Sequence, residues 1–121
     1  MIVYALDDYA GFRDIYRKLL GAEIFSNAAD LLTAIKLDKP DLFICDLIMP
    51  DMDGWTVVEM VRKLYDDLPV IVSTSSNTAE NRFLADMYKC DFWAKGTDLK
   101  KLVKKAGDYG YDTTRFDNKI Y

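Results

Sequence analysis

The sequence contains no histidine, two cysteines, three prolines and fewer basic than acidic residues. Without histidine, the chain cannot itself be a histidine phosphodonor or a histidine relay module. Cys45 and Cys90 lie in apolar, strand-like contexts and lack the spacing of a metal site. A packing role in a reducing cytoplasm is therefore expected, and a disulfide between them is not. The net charge is −4 with scattered lysines. Phosphate contacts need a clustered positive field, so a direct nucleic-acid partner is not expected. No apolar run approaches the roughly 20 residues that cross a bilayer. The opening "MIVYALDD" runs straight into acid, which is not the pattern of a signal peptide. The expected location is thus the cytoplasm, without membrane insertion. There is no internal repeat, linker or low-complexity segment, and 121 residues suffice for one domain with a real core.

What is present is an alternation of short apolar runs and longer amphipathic stretches. "IVYAL" (2–6), "EIFS" (23–26), "DLFICD" (41–46), "LPVIVST" (68–74) and "DFWAK" (91–95) read as strands. Between them, 9–21, 28–38, 54–67 and 78–89 carry apolar residues at helical spacing, and 98–107 reads as a last short helix. Gly21 marks a helix stop; Ser26 or Asn27 and Asn77 or Thr78 are candidate caps. Strands alternating with helices predict βα units, hence a parallel sheet covered on both faces. Five of each fit an α/β, flavodoxin-like, doubly wound five-stranded sheet in the order 2-1-3-4-5. The domain is expected to span 1–107. Residues 108–121, "DYGYDTTRFDNKIY", form an aromatic tail without clear periodicity.

In such a sheet, ligands bind at the C-terminal ends of the strands. There the sequence places Asp7-Asp8, Asp46, the run Ser73-Thr74-Ser75-Ser76, and Lys95. Strand one lies between strands two and three, so Asp7, Asp8 and Asp46 become neighbours. Crowded carboxylates raise one another's pKa unless a cation neutralises them. Hard oxygen donors suit Mg2+, which accepts phosphate oxygens alongside its waters. A hydroxyl and an ammonium opposite would complete a site for a phosphoryl group. Taken singly, Asp7-Asp8 reads as a helix cap, Thr74 as the end of a strand and Lys95 as a solvated charge. Their co-occurrence on neighbouring strand ends is what distinguishes them.

Within "CDLIMPDMDG" (45–54), Asp46 ends a strand, whereas Asp51 and Asp53 fall in the turn and at the start of the next helix. The run from Asp46 through Met49-Pro50 to Met52-Asp53-Gly54, together with Asp7-Asp8, Thr74 and Lys95, resembles a response-regulator receiver domain, the phospho-acceptor of two-component signalling. The resemblance covers about 2–106. It implies Asp46 as nucleophile and phosphorylation site. It implies Mg2+ held by Asp8, Asp46 and the backbone carbonyl of Ile48, with Asp7 acting through a metal-bound water. Lys95 would pair with Asp46 and then with the phosphoryl group, Thr74 would bond a phosphoryl oxygen, and Phe92 would be the aromatic switch. The partners implied are a histidine kinase or histidine phosphotransfer protein and a separate downstream effector, with a homodimer through the last helix and strand as a further option. The readout is then a surface change rather than an enzymatic product.

Two rival readings stand beside this one. "DMDG" is similar to the Asp-x-Asp-Gly of haloacid-dehalogenase-type phosphatases, although that reading leaves Asp7-Asp8 unused. A degenerate receiver acting only as a binding module is the other; the complete acidic set argues against it. The chain also departs from the family at Gly96, where proline is usual after Lys95. A cis bond before a non-proline residue costs roughly 2.5–4 kcal/mol, so a trans, looser loop is expected there, with an altered reach for Lys95. Phe92 and Trp93 are adjacent in a strand and should face opposite sides of the sheet. Tyr109, Tyr111, Phe116, Ile120 and Tyr121 are many large groups for a solvated terminus, so the tail is expected to pack on the last helix and fifth strand.

Overall fold

The computed structural model of the protein describes residues 1–114. Five strands, β1 (Val3–Leu6), β2 (Glu23–Phe25), β3 (Leu42–Asp46), β4 (Val70–Thr74) and β5 (Asp91–Ala94), alternate with five helices. These are α1 (Ala10–Leu20), α2 (Ala28–Leu37), α3 (Gly54–Leu64), α4 (Ala79–Met87) and α5 (Leu99–Asp108). All strand pairs are parallel, in the order β2-β1-β3-β4-β5. The expected α/β architecture is therefore the observed one. Strand β4 begins at Val70 rather than 68, since Pro69 has no N–H for the ladder and contributes its carbonyl to Phe43 instead.

The central strands β1, β3 and β4 are buried on both faces, as their unbroken apolar runs require. Alternation along each strand sends side chains to two cores. Tyr4, Leu6, Phe43, Cys45, Val70 and Val72 meet α2, α3 and Ala85 of α4. Val3, Ala5, Leu42, Ile44 and Ile71 meet Tyr16 and Leu20 of α1 and Leu102, Val103 and Ala106 of α5. Trp93 enters this second core fully, while its neighbour Phe92 stays half-buried on the other face under the Arg82 guanidinium. Cys45 and Cys90 are free thiols in buried positions, and burial pushes the Cys45 thiol well up and that of Cys90 to about 11.

Helix ends follow their capping chemistry. Asn27 and Thr78 accept from the N–H of Asp30 and Asn81, so each pair of candidate caps resolves to its second member. Asp53 caps α3 through the N–H of Trp55. Asp51, in the same loop, accepts from the N–H of Ala28 and so caps α2 across the fold. The chain past α5 divides its contacts. The Tyr109 hydroxyl meets Asp91 at the start of β5. Tyr111 is buried beside α1, donating to the carbonyl of Leu19, at the sheet end opposite the strand C-termini. Phe116, Ile120 and Tyr121 lie outside the described residues.

One side chain ties two loops to the sheet. Arg62 donates to the carbonyls of Tyr65 and Leu68 before β4, and of Tyr88 and Lys89 before β5. A planar guanidinium can serve four acceptors in this fan; an ammonium cannot. Arg62→Met keeps the apolar stem but strands these carbonyls, and should lower unfolding free energy by about 2–4 kcal/mol in urea denaturation. Arg62→Lys should recover less than half of that loss.

Candidate functional site

The parallel register decides what meets at the C-terminal edge. Leu6 pairs with Cys45 and Asp46 with Ser73, so the next positions of β1 and β3 set Asp7 beside Asp46. The ladder runs on past β5, where Lys95 donates its N–H to the carbonyl of Thr74. Asp7 and Asp46 are buried, at 0% and 3% exposure, and Asp8 is exposed. One oxygen from each lies within 4.8 Å of the others, the sole such acidic group among the described residues. Asp53 is exposed, outside this cluster, and engaged at the N-terminus of α3.

Lys95 closes the site. Its ammonium is 2.8 Å from Asp7 Oδ2 and 3.1 Å from Asp46 Oδ1. The Phe12 ring lies 4.5 Å away from the same nitrogen, a cation–π contact from α1. The loop at Gly96 contains no cis bond; Gly96 adopts φ +85°, where a side chain would be strained. Lys95 therefore reaches both acids without a proline after it. Lys95 pairs with Asp46 and also with Asp7, which lies at the shorter distance.

Each carboxylate oxygen has a distinct environment. Asp7 Oδ1 accepts from the N–H of Tyr9, and Oδ2 accepts from the hydroxyl of Tyr16 at 3.3 Å as well as from Lys95. Arg13 donates to the Asp7 carbonyl. Asp46 Oδ1 accepts from Lys95 and, at 3.4 Å, from the N–H of Ile48. Asp46 Oδ2 is buried with no hydrogen-bond partner. Burial, and then the negative charge of Asp7, push the Asp46 carboxyl up to about 6 against the opposing pull of Lys95. An unpaired, desolvated carboxylate oxygen beside two further acids is a place for a cation or an electrophile, and its hard oxygen donors suit a divalent ion of the magnesium class.

Gly54 explains the glycine of "DMDG". A Cβ there would meet the Asp46 carbonyl at 2.3 Å and Leu47 Cα at 2.4 Å. The Gly54 N–H also donates to the Leu47 carbonyl. The start of α3 thus lies directly on the backbone that carries Asp46, an approach open only to glycine.

An open cleft of about 450 Å³ leads to the acids, lined by Asp8, Tyr9, Phe12, Asp46, Ile48, Ser75 and Lys95. Ile48 is 62% exposed at its mouth. Thr74 is buried, and its Oγ1 accepts from the N–H of Ser76, turning toward the loop before α4. Beyond that loop, Asn81 donates to the Ser76 carbonyl and accepts from the Trp55 indole, which stacks on Tyr88. Sequence reasoning did not find the roles of Tyr16, Ser73 or Phe12 near the site. Tyr16 and Phe12 lie on the apolar stripe of α1, where spacing alone signals packing, and Ser73 is one of a run of hydroxyls at the end of β4.

The response regulator receiver domain family matches residues 3–107. The DNA-binding transcriptional regulator NtrC of Proteus hauseri is 32% identical over 78 residues, 60% of this chain and 16% of that protein. The response regulator MprA of Mycobacterium leprae is 28% identical over 111 residues, 87% of this chain and 49% of that protein. The chain thus spans half or less of the length of these relatives. In structure it resembles the chemotaxis protein CheY4 of Vibrio cholerae, with TM-score 0.82 and 22% identity over 89% of this chain and 97% of that one. A CheY-like receiver domain protein from Methanospirillum hungatei gives TM-score 0.82 at 23% identity, covering 88% and 90%. With the strand order, the acidic cluster and the family match in agreement, the chain belongs to the response-regulator receiver domains of two-component signalling.

Proposed function

We propose that this receiver is a phosphorylation-dependent switch whose acceptor atom is Asp46 Oδ2. The observation that carries the reading is that this oxygen is buried and unpartnered while Oδ1 of the same carboxylate is held by Lys95 and Ile48. The fixed oxygen orients the carboxylate, and the other is left to react. The donor is a phosphorylated histidine on a kinase or phosphotransfer protein, since this chain has no histidine of its own. Asp46 Oδ2 attacks phosphorus, the P–O bond forms as the P–N bond breaks, and the departing imidazole takes a proton from solvent.

Asp8 and Asp46, with the Ile48 carbonyl, would hold Mg2+, and Asp7 would act through a bound water. When bound, the ion supplies charge neutralisation for the acids and for the phosphoryl oxygens. Lys95, already 3.1 Å from Asp46 Oδ1, pairs with the new negative charge. Thr74 turns its hydroxyl to a phosphoryl oxygen and draws the loop before α4 with it. Phe92, half-buried beneath Arg82, would follow that movement as the aromatic switch. A downstream protein reads the altered face, in the manner of a shifted two-state equilibrium.

The reading is tested with acetyl phosphate, Mg2+ and mass mapping of the labelled residue. Labelling should occur at Asp46, should require the metal, and should vanish in Asp46→Asn. Stable labelling elsewhere, or full labelling of the variant, would contradict it.

The raised Asp46 pKa gives a second, phosphate-free test. The folded state binds this proton more tightly than the unfolded chain, where the group titrates near the ordinary carboxyl value of 3.8. Its contribution is therefore fully present below about pH 4 and lost as pH rises through about 6. At neutral pH the buried charge is a net cost. In EDTA, Asp46→Asn should be more stable than wild type by about 1–3 kcal/mol at pH 7.5, with the gap shrinking toward pH 4. Urea denaturation across that range checks it; a variant less stable at pH 7.5 contradicts it.

A further inference from the structure

Two buried hydroxyls lie behind the acidic cluster without a part in the chemistry so far described. Tyr16 on α1 and Ser73 on β4 are both 0% exposed, and their oxygens are 2.7 Å apart. Tyr16 Oη is also 3.3 Å from Asp7 Oδ2. A carboxylate can only accept, so the Tyr16 proton must point to Asp7 if that bond is made. Ser73 must then donate to the Tyr16 oxygen. The two hydroxyls thus form a directed chain of donors, Ser73 to Tyr16 to Asp7, that ends on one carboxylate oxygen.

That oxygen is the one Lys95 holds at 2.8 Å. For Lys95 to serve a phosphoryl group on Asp46, it must loosen this contact, the shorter of its two. Asp7 Oδ2 would then lie buried with its strongest donor gone, and an unpaired buried charge is strongly disfavoured. A second donor already aimed at it, at a long 3.3 Å, can tighten as the lysine leaves. Ser73 is paired in register with Asp46 on one side and Trp93 on the other, so the donor chain is anchored in the strand between the acceptor and the lysine.

We infer that Tyr16 and Ser73 are positioning residues, which hold Asp7 satisfied while Lys95 transfers from Asp7 to the phosphorylated Asp46. This rests on the phospho-acceptor reading above. It differs from a purely structural account, in which two hydroxyls merely satisfy one another inside an apolar core. Both accounts predict that Tyr16→Phe, which leaves the Ser73 hydroxyl stranded, lowers stability. They diverge for the double variant Tyr16→Phe/Ser73→Ala: both hydroxyls are gone, so stability should return on either account, and only the positioning account keeps labelling slow.

The experiment measures labelling of the full chain by acetyl phosphate with Mg2+, alongside Tm, for wild type, Tyr16→Phe and the double variant. The donor concentration is varied, so that the maximal rate is separated from half-saturation. In both variants the maximal rate should fall about ten-fold, the scale of one hydrogen bond to a charged group. The half-saturating donor concentration should stay within about two-fold of wild type, because no donor-binding group has changed. The double variant should recover wild-type Tm without recovering the rate. A double variant that regains both overturns the inference, as does an unchanged maximal rate in Tyr16→Phe. Either leaves the acceptor assignment intact if wild type still labels at Asp46. Absence of labelling in wild type overturns the acceptor reading and this inference together.

Discussion

One ammonium shared between two buried carboxylates is the interaction on which the site depends. Lys95 lies within ion-pair distance of both Asp7 and Asp46, and a third acid, Asp8, completes the cluster. Three carboxylates against one ammonium leave the pocket short of positive charge. Burial makes this shortage costly, because desolvated charges interact more strongly than solvated ones. The sheet order creates the geometry. Strands β3 and β5 are two spacings apart, about 10 Å, so only a long side chain from β5 can reach the acid on β3. Between them on β4, Ser73 is paired in register with Asp46 and with Trp93.

The shortage of charge falls on one atom. Asp7 is satisfied on both oxygens, by Tyr9, Tyr16 and Lys95. Asp46 is satisfied on one, and its Oδ2 has no partner. Burying an unpaired carboxylate oxygen costs stability, and here burial together with the charge of Asp7 raises the pKa of Asp46. The surrounding structure braces this arrangement by packing and hydrogen bonds. Gly54 lets α3 rest on the Asp46 backbone, Asp51 and Asp53 turn the loop into two helix caps, and Arg62 pins the loops that lead into β4 and β5.

The fold was legible because its signals are local. Apolar runs of strand length alternate with helical periodicity, and parallel strands buried on both faces leave no polar alternation to confuse them. The residues at the strand ends were legible for the same reason: once the order is known, position along a strand gives position in space. What could not be read is pairing at a distance. "DLFICD" and "DFWAK" place Asp46 and Lys95 at one edge, yet nothing in them says that Lys95 lies nearer Asp7. Tyr16 occupies an apolar position of α1, and its hydroxyl gains meaning only beside Ser73, 57 residues away. Asp51 looked like a turn residue and caps a helix 23 residues earlier. Gly96 pointed to a trans loop after Lys95, and the loop is trans, but the positive φ of that glycine and the two acids that Lys95 reaches were not legible.

The central claim is that Lys95 exchanges partners: it rests on Asp7 and Asp46 together and moves toward the phosphoryl group when Asp46 Oδ2 is occupied. A crystal structure grown with Mg2+ and trifluoroberyllate, a mimic of the phosphoryl group, tests this most directly. The account predicts the adduct on Asp46 Oδ2, with Lys95 Nζ bonded to a fluorine and its contact to Asp7 Oδ2 lengthened beyond 2.8 Å. An adduct on another residue, or one on Asp46 with Lys95 still held at its present distance from Asp7, would contradict it.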